Sequence, residues 1–204
     1  MLMLYFSPGT CSMAARIMLE ESRGSFDLRQ VHFDEAEQRT ESFLKVNPLG
    51  RVPVLRLDDG ERLVENTAIL PYLGKRFGFW PTSSIEEAKA LSLIGFFAAN
   101  MHPTCARINR PERYTVDVQA FGGKIESARK SYGNYLDRVD RRLAGREYFL
   151  SEYSAVDLYG LVFYAWGVRG GYPMQELVNY TAFKDRLLQR AAIQRVLRAE
   201  NIEV

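Results

Sequence analysis

A mixed α/β sheet followed by an all-helical region is the architecture this 204-residue sequence predicts. Three observations carry that reading. Strand and helix signals alternate as far as Phe77, a short stretch of Gly, Pro and small hydroxyls follows (GFWPTSS), and beyond it only helical periodicity occurs. The expected division is a first domain at 1–77, a linker at 78–84 and a helical domain at 85–204.

The elements follow from local pattern. Leu2 to Phe6 is an unbroken apolar run, as for a strand buried on both faces. Ser7-Pro8-Gly9-Thr10 interrupts it, and Cys11 to Arg23 reads as a helix with Ala14, Ile17 and Met18 on one side. Phe26 to Phe33 is the second strand, and a short helix is expected around Arg39 to Lys45. Val54 to Leu57 and Glu61 to Val64 flank Asp59-Gly60, the signature of a two-residue hairpin. Asn66 to Phe77 forms a helix despite Pro71. The βαβ unit needs parallel strands and the hairpin an antiparallel pair, so a four-stranded mixed sheet with helices on both faces satisfies both.

In the second half, Ile125, Ala128, Tyr132, Tyr135, Val139 and Leu143 recur at helical steps. Between Ser154 and Val168 the only charge is Asp157, which marks a helix central to its domain, with Ser154 and Asp157 spaced as a capping box. A last helix is expected from about Ala182 to Glu200.

Composition narrows the function. Hydrophobic residues at 47% and charged ones at 25% describe a folded globular chain. A net charge of +2, with both signs interspersed, argues against a nucleic-acid partner. No apolar stretch reaches membrane-span length, and the N-terminus lacks the basic start of a signal peptide. The two cysteines, Cys11 and Cys105, make neither a disulfide framework nor a metal-ligand set, which fits a reducing cytoplasm and no metal.

Three segments carry chemistry. Cys11 stands at the first turn of a helix directly after a strand, where free N–H groups and the helix dipole stabilise a thiolate; Ser12 adds a hydroxyl. A depressed Cys11 pKa is therefore expected, against the plain reading of a small inert buried cysteine. At Val52-Pro53 a cis peptide bond would turn the Val52 backbone outward to pair with an extended peptide in a cleft; the plain reading is a trans proline that starts a strand. Glu65-Asn66-Thr67 places an acidic residue and an N-capping Asn at a helix start, a pair suited to an amino-acid zwitterion; taken alone it is an ordinary cap.

Together, S-P-G-T-C-S, N-P-L-G-R-V-P and D-D-G followed by L-V-E-N-T-A-I-L resemble the glutathione-site pattern of cytosolic glutathione S-transferases, and the cysteine at position 11 resembles the bacterial beta class. The resemblance spans nearly the whole chain and includes Ser154-Ala155-Val156-Asp157. It implies a thioredoxin-like N-terminal domain, an all-α C-terminal domain and a homodimer. Glutathione is then a co-substrate, Cys11 and Ser12 meet its sulfur, and Val52 with Pro53 faces its cysteinyl part. Glu65 and Asn66 hold the γ-glutamyl end, and His102 reaches the same site. Trp166, with Phe96, Phe97 and Tyr164, forms an apolar wall for a small hydrophobic electrophile, although core packing explains those aromatics equally well.

The sequence departs from the pattern in places. Phe6 stands where other classes carry a thiol-activating tyrosine, Asn66 replaces a serine, and Gly95 replaces a polar contact. An acidic stretch, Asp34 to Glu37, lies where a lysine is usual, with Gln38 and Arg39 next to it. The leading expectation is a transferase that conjugates glutathione. The alternatives are a thiol-disulfide reductase with Cys11 as nucleophile and a non-catalytic binding or regulatory protein.

Overall fold

The computed structural model describes all 204 residues. Four strands, β1 (Leu2–Phe6), β2 (Phe26–Gln30), β3 (Val54–Arg56) and β4 (Arg62–Val64), form one sheet in the order β2-β1-β3-β4. β1 runs parallel to β2, with Leu2 opposite Phe26, and antiparallel to β3, with Leu4 opposite Leu55. β4 completes an antiparallel pair with β3. The parallel pair requires a crossover, which α1 (Ser12–Ser22) supplies.

Side-chain alternation along β1 assigns the two faces of the sheet. Leu2, Leu4 and Phe6 join the core beneath α1 and α3 (Asn66–Phe77). Tyr5 turns the other way and meets Phe43 of the short helix α2 (Glu41–Leu44) edge-on at 6.2 Å. That outer face is only half-buried, so the apolar run of β1 is fully covered on one side alone. β2 stops at Gln30, short of the expected Phe33: Val31 still bonds the Phe6 carbonyl, but Glu37 then captures the His32 N–H and turns the chain. The hairpin is also wider than expected. The Leu57 N–H donates to the Glu61 carbonyl, leaving Asp58-Asp59-Gly60 as a three-residue loop with Gly60 at φ +93°.

Residues 78–84 are exposed at Gly78 and from Thr82 to Ser84 but packed at their centre. Trp80 is buried, and the Phe79 carbonyl accepts from the Ala155 N–H at 3.0 Å, which ties the segment to the start of a central helix. From Ser84 onward the regular structure is helical. α4 (Ser84–Phe96), a widened π-helical turn (Phe97–Met101) and α5 (His102–Asn109) follow without a break. α6 (Phe121–Leu143) buries Ala128, Tyr132, Leu136, Val139 and Leu143 as one stripe. α7 (Ala155–Arg169) is buried almost all round and packs on α1 and α3, so one continuous core joins the sheet half to the helical half.

The expected last helix is two: α8 (Val178–Leu187) and α9 (Ala191–Glu200). No Pro or Gly separates them. At the break Arg190 is extended, its guanidinium holds both carboxylate oxygens of Glu21 and lies 3.8 Å from the Tyr153 ring. This tertiary anchor outweighs local helix propensity and lets α9 lie along α1.

The capping box of α7 forms and does more than cap. Asp157 accepts from the Ser154 N–H at 2.7 Å and the Ser154 hydroxyl at 3.0 Å, and also from the Phe149 N–H at 2.9 Å. The carboxylate is fully buried, and three donors oppose the burial that pushes its pKa up to about 7. Asp157→Ala orphans two buried backbone N–H groups, so it should lower stability by about 2–4 kcal/mol in a denaturant melt. A loss below about 1 kcal/mol would show that water replaces the carboxylate at both.

Candidate functional site

β1 ends at Phe6 and α1 begins at Ser12, so Ser7 to Cys11 must turn the chain within five residues. Gly9 takes φ +67°, and both of its backbone polar groups are held by the helical half. The Gly9 N–H donates to Glu200 at 3.0 Å, while its carbonyl accepts from the Trp166 indole at 3.0 Å and from Arg169 at 3.2 Å. The other Glu200 oxygen pairs with Arg16 at 3.1 Å, and the Arg16 guanidinium lies 4.6 Å from the Phe6 ring. Burial pushes the Glu200 carboxyl upward, and the Gly9 N–H and Arg16 pull it back.

Ser12 belongs to this turn and not to the cleft, contrary to the catalytic role expected for it. Its side chain is fully buried, donates to the Ser7 carbonyl at 3.1 Å, accepts from the Ser7 N–H at 3.2 Å and lies 2.7 Å from the Thr10 hydroxyl.

Cys11 caps α1 at the floor of a cleft of about 720 Å³, with its sulfur 3.7 Å from the Val52 carbonyl. The expected depressed pKa is not found. Burial, with Glu65 adding to it, pushes the thiol up to about 12, and its own backbone N–H and Arg51 oppose only in part. The helix end does not rescue the thiolate because Thr10 already occupies it. The Ser12 N–H bonds the Thr10 hydroxyl, and the Met13 N–H bonds the Thr10 carbonyl. Cys11 is a neutral thiol at pH 7.

The sheet side of the cleft comes from the loop before β3 and from the start of α3. Asn47 organises that loop: its amide donates to the Arg51 carbonyl at 2.8 Å and its oxygen accepts from the Leu49 N–H. Gly50 is required there, since its φ is +60° and a Cβ would lie 2.7 Å from the Gln38 carbonyl. The Val52-Pro53 bond is cis, and the Val52 N–H has no acceptor in the protein. Glu65, not Asn66, is the N-cap of α3, held at φ +67° and ψ +127°, a conformation that costs a non-glycine residue about 1–3 kcal/mol. Its carboxylate bonds nothing in the protein. Asn66 is the first helical residue, and its amide donates to the Cys11 carbonyl at 2.9 Å, which brings the starts of α1 and α3 together. The buried Oδ1 of Asn66 and Oε1 of Gln38 have no hydrogen-bond partner, and both residues line the cleft.

His102, Tyr159 and Trp166 line the opposite wall. His102 directly follows the π-helical turn and meets Trp166 edge-on at 5.1 Å. Burial, together with Arg51 and Arg113, lowers its pKa to about 4, so the imidazole is neutral. Cys105 also lines the cleft, its thiol raised to about 11 by burial and its sulfur 3.4 Å from the Asn109 amide. The cleft thus gathers Cys11, Val52, Pro53, Glu65, Asn66, His102 and Trp166. It excludes the other three aromatics expected for the apolar wall. Phe97 is a core residue stacked on Phe163, and Phe96 lines a separate cavity of about 400 Å³ beside Arg138. Tyr164 is buried with its hydroxyl on Thr181. Core packing, the alternative the sequence left open for these rings, accounts for Phe97 and Tyr164.

Sequence reasoning missed Tyr159, Arg110, Arg113, Arg169 and Glu200. Arg51 had a signal, as the residue beside Val52-Pro53, and Arg169 lies one helical turn beyond Trp166; Glu200 had none. No group of three or more His, Cys, Asp or Glu side chains is placed to hold a metal, and no helix is long and apolar enough to cross a membrane.

Residues 1–75 match the glutathione S-transferase N-terminal domain. Over 98% of its length, and 99% of the relative's, the chain is 30% identical to glutathione S-transferase GstA of Escherichia coli O157:H7. A glutathione transferase homologue from Sulfitobacter, solved with bound glutathione, superposes with a TM-score of 0.92 at 30% identity, covering 98% of both chains. The beta-class glutathione S-transferase of Sphingomonas chungbukensis superposes at 0.85 with 32% identity, over 97% of this chain and 98% of that one.

Two measurements check this geometry. With a pKa near 12, the Cys11 thiol should react with iodoacetamide at pH 8 at least about a hundredfold more slowly than free cysteine. Reaction at the free-cysteine rate would mean the thiol is ionised despite its burial. Glu200→Ala removes the acceptor of Gly9 and strands Arg16, so it should cost about 3 kcal/mol of stability and make Cys11 alkylation faster. Unchanged alkylation would show that Trp166 and Arg169 hold the turn without it.

Proposed function

This chain belongs to the glutathione S-transferase family, and on that footing we infer that it joins the thiolate of glutathione to an electrophile in the cleft between its sheet and its helical region. The observation that carries the reading is the unpaired Val52 peptide, flanked on one side by Cys11 and on the other by Glu65 and the start of α3. An extended tripeptide laid along that edge pairs its cysteinyl backbone with Val52. Its γ-glutamyl ammonium faces the Glu65 carboxylate, and its γ-glutamyl carboxylate faces the Asn66 and Thr67 N–H groups, which lack backbone acceptors. Gln38 and Arg51 are left for the glycyl end.

The sulfur then lies over Cys11. A neutral thiol at pH 7 is a hydrogen-bond donor, and with the helix α1 dipole it stabilises a glutathione thiolate more than the protonated form. The same neutrality disfavours Cys11 as a redox nucleophile, because disulfide exchange requires its thiolate. The acidic stretch Asp34 to Glu37 contributes no carboxylate to the site. Glu37 pairs with Arg29 and the His32 N–H, and neither Asp34 nor Glu35 lines the cleft. Cys11, Val52, Pro53, Glu65, Asn66 and His102 are therefore assigned to glutathione, and Trp166 to the side where the electrophile enters. Ser12 is assigned to the turn. A cytoplasmic homodimer is part of the same reading: the dimer is what the family resemblance implies, and two free cysteines fit a reducing compartment.

Glu65→Ala should weaken glutathione binding by about tenfold or more in calorimetry, with circular dichroism unchanged. Unchanged affinity would move the tripeptide elsewhere. Cys11→Ser keeps a donor at the sulfur, so conjugation of 1-chloro-2,4-dinitrobenzene should fall by no more than about tenfold. Complete loss would restore Cys11 as the nucleophile.

A further inference from the structure

The helical wall of the cleft is cationic where an apolar surface was expected. Arg51, Arg110, Arg113 and Arg169 line the cleft, and Glu65, on the sheet side, is the only carboxylate among its lining residues. None of the four arginines takes part in an ion pair, whereas Arg16, Arg29, Arg76, Arg190 and Arg195 elsewhere all do. Arg110 and Arg113 flank a single helical turn at the end of α5, closed by the Arg113 N–H on the Arg110 carbonyl at 3.1 Å. Tyr114 follows, its ring 5.4 Å from the Arg107 guanidinium. His102 is neutral and adds nothing to the charge.

Glutathione does not use up this excess. Bound as a thiolate it brings two carboxylates and a sulfur anion against one ammonium, a net two negative charges. Four arginines against Glu65 leave a net three positive charges, so one remains. Glu65, Val52 and the start of α3 direct the tripeptide to the sheet side, and the remaining charge is carried by Arg110 and Arg113 on the helical side.

We propose that the electrophile accepted by this cleft is itself anionic, carrying a carboxylate that Arg110 and Arg113 bind while its reactive carbon faces the glutathione sulfur. The inference rests on the glutathione transferase reading and replaces the small hydrophobic electrophile with a carboxylated one. Guanidinium groups are suited to this, since each offers paired donors matched to a carboxylate and stays charged at any pH the enzyme meets.

The test compares two aryl chlorides that react alike: 1-chloro-2,4-dinitrobenzene, which is neutral, and 4-chloro-3,5-dinitrobenzoate. In each the thiolate forms the carbon–sulfur bond, the carbon–chlorine bond breaks and chloride leaves with the electron pair. Divided by its uncatalysed rate, kcat/KM should favour the benzoate by about tenfold, through a lower KM. Arg110→Gln combined with Arg113→Gln should bring that preference toward unity, and the corresponding double lysine variant should retain most of it. Equal normalised kcat/KM for the two chlorides, or a preference that survives the double glutamine change, would overturn the proposal. If neither chloride is turned over, calorimetry on the two S-aryl glutathione conjugates decides: tighter binding of the carboxylated one supports it, equal binding overturns it. Glutathione binding alone reads the underlying function, and its absence would overturn that reading and this inference together.

Discussion

The grip on the Gly9 backbone is the constraint from which most of the site follows. The five-residue turn between a buried strand and a buried helix closes on itself through Ser7, Thr10 and Ser12, but the Gly9 N–H and carbonyl are unpaired within it and need an outside partner. That partner is the helical half. Glu200 comes from the last turn of α9, and Trp166 and Arg169 come from α7, so two helices meet on one residue of the turn. Because Arg16 shares the Glu200 carboxylate, the clamp also fixes α1, the helix whose first turn carries Cys11. The packing of α9 on α1 and of α7 on α1 and α3 is thus the same event as the shaping of this turn.

Holding the turn this tightly decides the chemistry of Cys11. Two effects compete at a helix N-terminus: the dipole and free N–H groups favour a thiolate, and loss of water disfavours it. The dipole is worth about 1 kcal/mol at an exposed end, while full burial shifts an ionisable group by about 3 units or more, which is roughly 4 kcal/mol. At Cys11 the first effect is reduced further, because Thr10 takes the N–H groups of Ser12 and Met13. Burial wins, and the protein offers a donor where an exposed cysteine at the same position would offer a nucleophile.

The parts of the molecule legible in the sequence are those set by periodicity and by turn chemistry. β1, the crossover helix, the stripe of α6 and the capping box of α7 each follow from spacing within about twenty residues, and Val52-Pro53 and Glu65-Asn66 stood out by residue type. Illegible were the features that depend on which distant element arrives. The split between α8 and α9 depends on Glu21, Ser12 turns inward because Ser7 and Thr10 close around it, and Phe96, Phe97 and Tyr164 face interiors other than the cleft. Asn66 shows both sides of this. Its residue type marked a helix start correctly to within one position, but its side chain serves the Cys11 carbonyl instead of its own helix. Propensity places an element, and tertiary partners then choose what each polar group bonds.

The cleft that results is unusual in where its protons can reside. Cys11 and Cys105 hold theirs to about 12 and about 11, and His102 takes up a second only near 4, each because burial penalises the charged form. The arginines are charged throughout. Between these limits neither thiol nor the imidazole changes state near neutrality, so the field around the site is set by fixed guanidinium groups and not by a titrating residue. With glutathione bound as proposed, the thiol that the cleft is built to ionise is the substrate's own. Neutral donors at the sulfur and permanent cations across the cleft both favour its anion, and neither has to gain or lose a proton while the carbon–sulfur bond forms.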